Sequence, residues 1–168
     1  MNHIHTKTIT NMGLLIAAEI ILSRFLSISA WNIKIGFSFV PIAIAAMIYG
    51  PIMAGTVAAL GDFLGAILFP IGPYFPAFTL TAFLTGVVLG LFLHKQQRVW
   101  NILGAVAVNQ LVLSLLLNTL WISALYCSPY WPLFTTRIIQ TAILAPVQFV
   151  VIGLIGKAVP RMRNGIGT

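Results

Sequence analysis

The sequence predicts an all-α integral membrane protein: a single bundle of six transmembrane helices over residues 1–168, with both termini in the cytoplasm. Of its 168 residues, 60% are hydrophobic and only 7% are charged, and the mean hydropathy is +1.03. Soluble domains carry about 25% charged residues, so this chain lacks the polar residues needed to cover a surface facing water. Because a spanning helix takes about 20 apolar residues, the length accommodates about six helices joined by short loops.

Six apolar segments follow one another along the chain, and Gly50-Pro51 marks one of the breaks, since glycine often follows a helix and proline opens the next. Glu19 and Arg24 interrupt the first segment, so we expect a retained helix rather than a cleaved signal peptide. The expected helices cover residues 8–27, 35–49, 52–69, 77–94, 99–126 and 133–159.

The distribution of basic residues predicts the orientation. Six basic residues fall on the side of the membrane that holds both termini, the connection between helices 2 and 3, and the connection between helices 4 and 5. They are Lys7, Lys95, Arg98, Lys157, Arg161 and Arg163. Cytoplasmic loops are enriched in Lys and Arg, so this side is expected to be cytoplasmic. The net charge of +7 is then mostly a topology signal, and nucleic acid is not an expected partner.

Nothing in the sequence predicts a cofactor or a metal. Cys127 is the single cysteine, no Cys/His cluster has zinc spacing, and no GxxxxGK[ST] loop is present. If the protein uses ATP, we expect another subunit to hydrolyse it.

Two polar stripes predict a binding site in the outward half of the bundle. Side chains three or four residues apart share a helix face, and Asn and Gln can either bond to other helices or bind a ligand. The stripes are Gln110, Ser114, Asn118 and Trp121 on helix 5, and Arg137, Gln140, Thr141, Leu144 and Gln148 on helix 6.

Aromatic and basic residues of the outward loops narrow the ligand class. The loops SISAWNIKIG, PIGPYFP and YCSPYWP contribute Trp31, Tyr74 and Phe75, which form either an interfacial belt or a stacking surface. Arg24, Lys34 and Arg137 lie in the outward half, with no carboxylate expected above Asp62. A planar, hydrogen-bonding, anionic molecule is therefore the expected ligand.

Asp62 is one of only two acidic residues and lies about 16 Å into helix 3 by helical rise. Intramembrane ionisable groups are functional candidates. We expect Asp62 to pair with Arg24 or Arg137, to contact the ligand, or to carry a proton. Glu19 is expected to face a neighbouring helix or a partner.

Gly13 and Ala17 make helix 1 narrow along one side. Small residues four apart allow another membrane helix to approach closely. The strip predicts either packing inside the bundle or docking to another membrane subunit.

Three runs carry a family resemblance: FVPIAIAAMIYGP (39–51), GDFLGAILFPIGPYFPAFTLTAFLTG (61–86) and LNTLW (117–121). They resemble the substrate-binding S components of energy-coupling factor (ECF) vitamin transporters, and most of all the folate-specific S component. The resemblance implies a bacterial cell-membrane protein without catalytic activity that binds its vitamin from outside. It also implies association with a transmembrane T subunit, through Gly13 and Ala17, and with two ABC-type ATPases, and transport by toppling in the bilayer.

For a folate ligand, the resemblance and the stripes together give expected roles. Asn118 and Gln140 would read the pterin edge, and Asp62 would contact the ligand. The pterin would stack among Trp31, Tyr74, Phe75 and Trp121, and the glutamate carboxylates would meet Arg24, Lys34 and Arg137.

Other functions remain open at this point. Riboflavin or biotin could replace folate, whereas cationic thiamin is disfavoured by the lack of outer carboxylates. An intramembrane enzyme would have to use Asp62 with Glu19, and a channel would need a repeated polar lining that the sequence lacks.

Overall fold

The computed structural model describes residues 6–30, 33–70, 72–96 and 98–166, with the side chains of 28–30, 33–35 and 160–166 left out of the description. Its elements, in chain order, are α1 (Thr6–Arg24), β1 (Ile28–Ala30), β2 (Ile33–Ile35), α2 (Phe39–Tyr49), α3 (Pro51–Leu68), α4 (Pro76–Leu93), α5 (Val99–Tyr126) and α6 (Tyr130–Ile166).

Four helices are long and apolar enough to cross a membrane: α3, α4, α5 and the Tyr130–Val159 part of α6. α2 is equally apolar but has only 11 residues. The prediction of a helical membrane protein is therefore confirmed.

The connection between α1 and α2 differs from the prediction. β1 and β2 pair as an antiparallel hairpin with Ile28 opposite Ile35 and Ser29 opposite Lys34. Residues 33–35 are thus extended, so α2 begins at Phe39 rather than at 35. An entirely helical interpretation missed these strands because each is only three residues long.

The predicted break at Gly50 is present. Gly50 has a φ of 88°, in the left-handed region that favours glycine, and Pro51 follows as the first residue of α3. This turn lets α2 reverse directly into α3.

The core is centred on α2. Ala43, Ala45, Ala46 and Met47 are fully buried, so α2 lies inside the bundle. Beside it, α3 and α4 approach very closely, because a Cβ atom on Gly86 would collide with the main chain of Ala54. Small residues at such contacts allow membrane helices to approach backbone to backbone.

The middle of α5 is not α-helical. Residues Val108–Leu117 form a π-helix, and the Asn118 N–H continues the wide pattern by donating to the Leu113 carbonyl. π-Helical turns are frequent at functional sites, and this one faces the cavity described next.

Candidate functional site

The helices enclose a cavity of about 210 Å³. All six helices and the segment before α2 contribute to its wall. The lining residues are Glu19, Ser23, Gly36, Ser38, Phe39, Ile42, Asp62, Ala82, Thr85, Asn109, Gln110, Ser114, Asn118, Arg137, Gln140, Leu144 and Gln148.

The two predicted polar stripes form one wall of this cavity. Gln110, Ser114 and Asn118 of α5 line it, as do the α6 residues Arg137, Gln140, Leu144 and Gln148. Thr141 is buried outside the lining. The four-residue spacing in the sequence was the signal that located this wall.

Arg137 joins the two stripes. Its Nη2 donates to the main-chain carbonyl of Ser114 at 3.1 Å, inside the π-helical segment. The guanidinium is thereby anchored to α5 while its side chain borders the cavity. A buried cation thus borders the cavity, about two helical turns after the start of α6.

Asp62 lines the opposite wall and is held by a hydroxyl group. Thr79 Oγ1 donates to Asp62 Oδ2 at 2.9 Å, and the Tyr74 hydroxyl lies 3.1 Å from Thr79 Oγ1. A short hydrogen-bonded chain thus connects the loop before α4 to a carboxylate in the cavity.

The predicted ion pair of Asp62 with Arg24 or Arg137 is not formed within the described residues. Arg24 Nη2 instead contacts the main-chain carbonyl of Asp62, at 3.4 Å. The Arg24 side chain crosses α3 at Gly65, where an added Cβ would lie 2.9 Å from Nε. It therefore braces α1 against α3 and is absent from the cavity lining.

Glu19 borders the cavity, a position that the sequence did not predict. It is 4% exposed and packs against Gly61, where a Cβ would collide with its carboxylate. The prediction that it faces a neighbouring helix is confirmed. Glu19 packs at the level of Gly61, the residue before Asp62, so both carboxylates border the cavity at a similar depth.

Aromatic residues gather where the loop before α4 meets the end of α5. The Phe75 and Trp121 rings are 6.2 Å apart, Trp121 Nε1 donates to Thr81 Oγ1 at 3.0 Å, and Tyr74 packs edge-on against Phe63 at 5.8 Å. None of these three predicted stacking residues is in the cavity lining itself. Tyr74 and Phe75 come from the loop before α4, and Trp121 comes from α5.

Two predicted ligand contacts fall between α1 and α2 in the sequence. Trp31 lies outside the described residues. Lys34 is in β2, opposite Ser29, and its side chain is outside the description.

Part of the cavity lining is a chain of two neutral amides and a hydroxyl group. Thr85 Oγ1 donates to Asn109 Oδ1 at 3.2 Å, and Asn109 Nδ2 donates to Gln148 Oε1 at 3.3 Å. These bonds connect α4, α5 and α6. No group of three His, Cys, Asp or Glu side chains that could hold a metal occurs in the described part of the chain.

The Gly13 and Ala17 strip of α1 is exposed. A Cβ atom on Gly13 would meet nothing within 4 Å. Glu19 lies about 200° around the helix from Ala17, so the strip and the cavity are on opposite faces of α1.

Comparisons with known proteins agree with this architecture. The family model for "ECF transporter, substrate-specific component" matches residues 7–162. A crystal structure of FolT bound with folic acid superposes with a TM-score of 0.88 at 34% identity, covering 92% of this chain and 95% of that one.

Two relatives are described as folate transporter FolT. The protein from Clostridium novyi (strain NT) is 41% identical over 152 residues, 90% of this chain and 88% of the relative. The protein from Leuconostoc mesenteroides is 30% identical over 150 residues, 85% of this chain and 80% of the relative. The family resemblance of the sequence is confirmed: this multi-pass membrane protein belongs to the substrate-specific components of ECF transporters.

Proposed function

We propose that this protein is the folate-binding subunit of an ECF-type importer, which captures folate or a reduced folate outside the cell. The observation that carries this proposal is the cavity, whose amides, two carboxylates and one guanidinium suit a heterocycle rich in donors and acceptors. The similarity of the whole protein to a FolT structure containing folic acid and to two folate transporters supports the same ligand.

The size and chemistry of the cavity favour one ligand orientation. At about 210 Å³ it is smaller than the roughly 300–1,000 Å³ of typical ligand pockets, so we assign it to the pterin ring alone. From Arg137 to Gln148, α6 rises about 16 Å towards the cytoplasm. The side chains in the hydrogen-bonded chain with Gln148, those of Asn109 and Thr85, are uncharged. A neutral ring edge suits this part of the lining better than a dicarboxylate does.

The charges of the protein side chains determine the other proposed contacts with folate. The 2-amino and N3–H groups of a pterin are donors, and a carboxylate such as Asp62 or Glu19 accepts both. The glutamate tail then extends outward past Phe75 and Trp121 towards the basic residues Arg24 and Lys34. Arg137 lies between ring and tail, where it can meet a ring oxygen or a carboxylate.

The same proposal covers topology and partners. We assign six transmembrane helices, with α1 and α2 completing the four long spans, and both termini in the cytoplasm. The protein catalyses no reaction. Import requires a T subunit and two ABC-type ATPases, and the exposed strip at Gly13 and Ala17 is the docking surface for the T subunit.

Detergent-purified protein is expected to bind one folic acid per chain and to lose tryptophan fluorescence on binding, because Trp121 lies beside the proposed site. Fluorescence titration and calorimetry measure this, with riboflavin, biotin and thiamin as comparison ligands. Trp121→Phe should reduce the quenching more than Trp100→Phe, since Trp100 is 79% exposed at the start of α5. A signal with another vitamin and none with folic acid would refute the ligand assignment.

Liposomes containing this chain alone are expected to bind folate without accumulating it, because the sequence has no phosphate-binding loop to couple ATP hydrolysis. Adding the T subunit and ATPases with ATP should produce accumulation, measured with radiolabelled folic acid. Concentrative, ATP-dependent uptake by the chain alone would contradict the proposal that this chain binds folate and that other subunits hydrolyse ATP.

A further inference from the structure

Asp62 lies in the close antiparallel pair of helices formed by α3 and α4. A Cβ atom on Gly86 would collide with the main chain of Ala54, so the two backbones are in contact. Followed from there towards the loop between the helices, the register brings Thr79 beside Asp62, and Thr79 Oγ1 is 2.9 Å from Asp62 Oδ2. The place of this hydrogen bond is therefore set by main-chain contact between two helices.

The hydrogen bonds around Thr79 run in one direction. The acceptor role proposed above for Asp62 requires an ionised carboxylate, which has no hydrogen to donate. Thr79 must therefore give its single hydroxyl hydrogen to Asp62 Oδ2. The Tyr74 hydroxyl group, which lies 3.1 Å from Thr79 Oγ1, must then donate to Thr79. The carboxylate at the end of the chain fixes this order.

Thr79 and Tyr74 act from behind the cavity wall. Asp62 is among the described residues that line the cavity, whereas Thr79 and Tyr74 are not. A donor behind a carboxylate restrains its rotation, so that its oxygens keep one orientation towards a ligand. The bond from Tyr74 also strengthens the donation from Thr79 to Asp62, because linked hydrogen bonds polarise one another.

The ring of Tyr74 is held separately from its hydroxyl group. It packs edge-on against Phe63 of α3, with 5.8 Å between the ring centroids, and the residue is 42% exposed. Loss of the hydroxyl group alone therefore leaves the ring contact in place. Tyr74→Phe thus separates an effect of the hydroxyl group from an effect of the ring, which the sequence predicted to stack on the ligand.

We propose that Thr79 and Tyr74 are positioning residues, which hold the Asp62 carboxylate in the orientation that accepts the 2-amino group of the pterin ring. The inference rests on the proposed function and assigns this amino group to Asp62 rather than to Glu19. Glu19 is only 4% exposed, whereas Asp62 is half-buried and so keeps carboxylate surface open to a ligand.

The test compares folic acid with 2-deamino-2-methylfolic acid, in which a methyl group replaces the 2-amino group while the N3–H and 4-oxo groups remain. Purified wild-type protein is expected to prefer folic acid by about 10- to 100-fold in Kd, the effect of one hydrogen bond to a charged group. Thr79→Val keeps the shape and removes the hydroxyl group. It should weaken folic acid binding by about tenfold but binding of the methyl analogue by less than about threefold. Thr79→Ser restores the hydroxyl group and should restore the wild-type preference.

Tyr74→Phe should lower the preference for folic acid by about threefold, and by nothing further in a protein that already carries Thr79→Val, since residues in one hydrogen-bonded chain are not additive. Thr56→Val is the matched control. It removes a half-buried hydroxyl group from α3 that donates to the Met53 carbonyl of the same helix at 2.8 Å, and both Kd values should stay at wild type. Thermal unfolding shows whether each variant is folded, and Tyr74→Phe, at an exposed residue, carries the test if Thr79→Val does not fold.

The outcomes separate this inference from the proposed function. A wild-type protein that binds no folic acid refutes the proposed function itself. Equal affinity of the wild type for both ligands overturns the inference and leaves the folate assignment intact. The inference is also overturned if the tested variant weakens both ligands by the same factor, as a residue needed only for packing would, or if Asp62→Asn leaves the preference unchanged, as expected when Glu19 accepts the amino group.

Discussion

Replacing Gly13 and Ala17 together with leucine is expected to abolish ATP-dependent folate uptake while leaving the folate Kd within about twofold, as for other surface substitutions. Both residues are exposed on α1, and a Cβ on Gly13 meets no atom within 4 Å, so the larger side chains fit the isolated protein. They would, however, prevent the close approach of a helix of the T subunit. Binding is measured on the purified variant and uptake in vesicles with all subunits.

Gly153→Leu is the matched control for this variant, because Gly153 of α6 is also open, with nothing within 4 Å of an added Cβ. It should retain both binding and uptake. If the double variant instead loses folate binding in parallel with uptake, the strip serves the internal structure of the protein and the docking proposal is wrong.

Gly90→Ala is expected to destabilise the protein strongly. A methyl group at Gly90 would collide with the main chain of Pro51, and Gly86 has the same relation to Ala54. Main-chain atoms cannot rotate away, so α3 and α4 must separate. Overpacking usually costs about 1–3 kcal/mol, and at two main chains in contact we expect the upper part of this range or more.

The informative comparison is Gly153→Ala, in which the same change is made at an open helical position. There alanine should stabilise the helix by up to about 1 kcal/mol. Thermal unfolding in detergent should therefore shift in opposite directions for the two variants. A Gly90→Ala protein as stable as the wild type would mean that α3 and α4 are farther apart than described here.

The sequence predicted the wall formed by α5 and α6 because helical periodicity places Gln110, Ser114 and Asn118 on one face. It did not predict Asn109 as a cavity residue. Neighbours in an α-helix point about 100° apart, and the wider π-helical turn reduces this angle to about 80°, so Asn109 and Gln110 both reach the cavity. No local pattern in the sequence indicates a π-helix.

The sequence did not predict Glu19 as a cavity residue or the hairpin, for different reasons. The orientation of Glu19 depends on Gly61 of α3, a long-range contact that the sequence pattern of α1 does not contain. The hairpin is a local feature, but its strands have only three residues each, too few to give an alternating pattern of useful length.

The unequal lengths of the membrane helices have a consequence for how the protein sits in a bilayer. α3 and α4 have 18 residues each, about 27 Å by helical rise, whereas the apolar part of α6 with 30 residues reaches about 45 Å. α5 has 28 residues and is shorter than about 42 Å, because its π-helical segment Val108–Leu117 rises less per residue than an α-helix. The hydrocarbon layer is about 30 Å thick, so the short pair matches it upright and the long pair matches it only when inclined. Each Å of mismatch between helix length and hydrocarbon thickness costs a fraction of a kcal/mol. The resting tilt of the protein is therefore a compromise between the two pairs of helices, and it shifts with bilayer thickness. Lipid chain length thus controls the orientation from which each transport cycle begins.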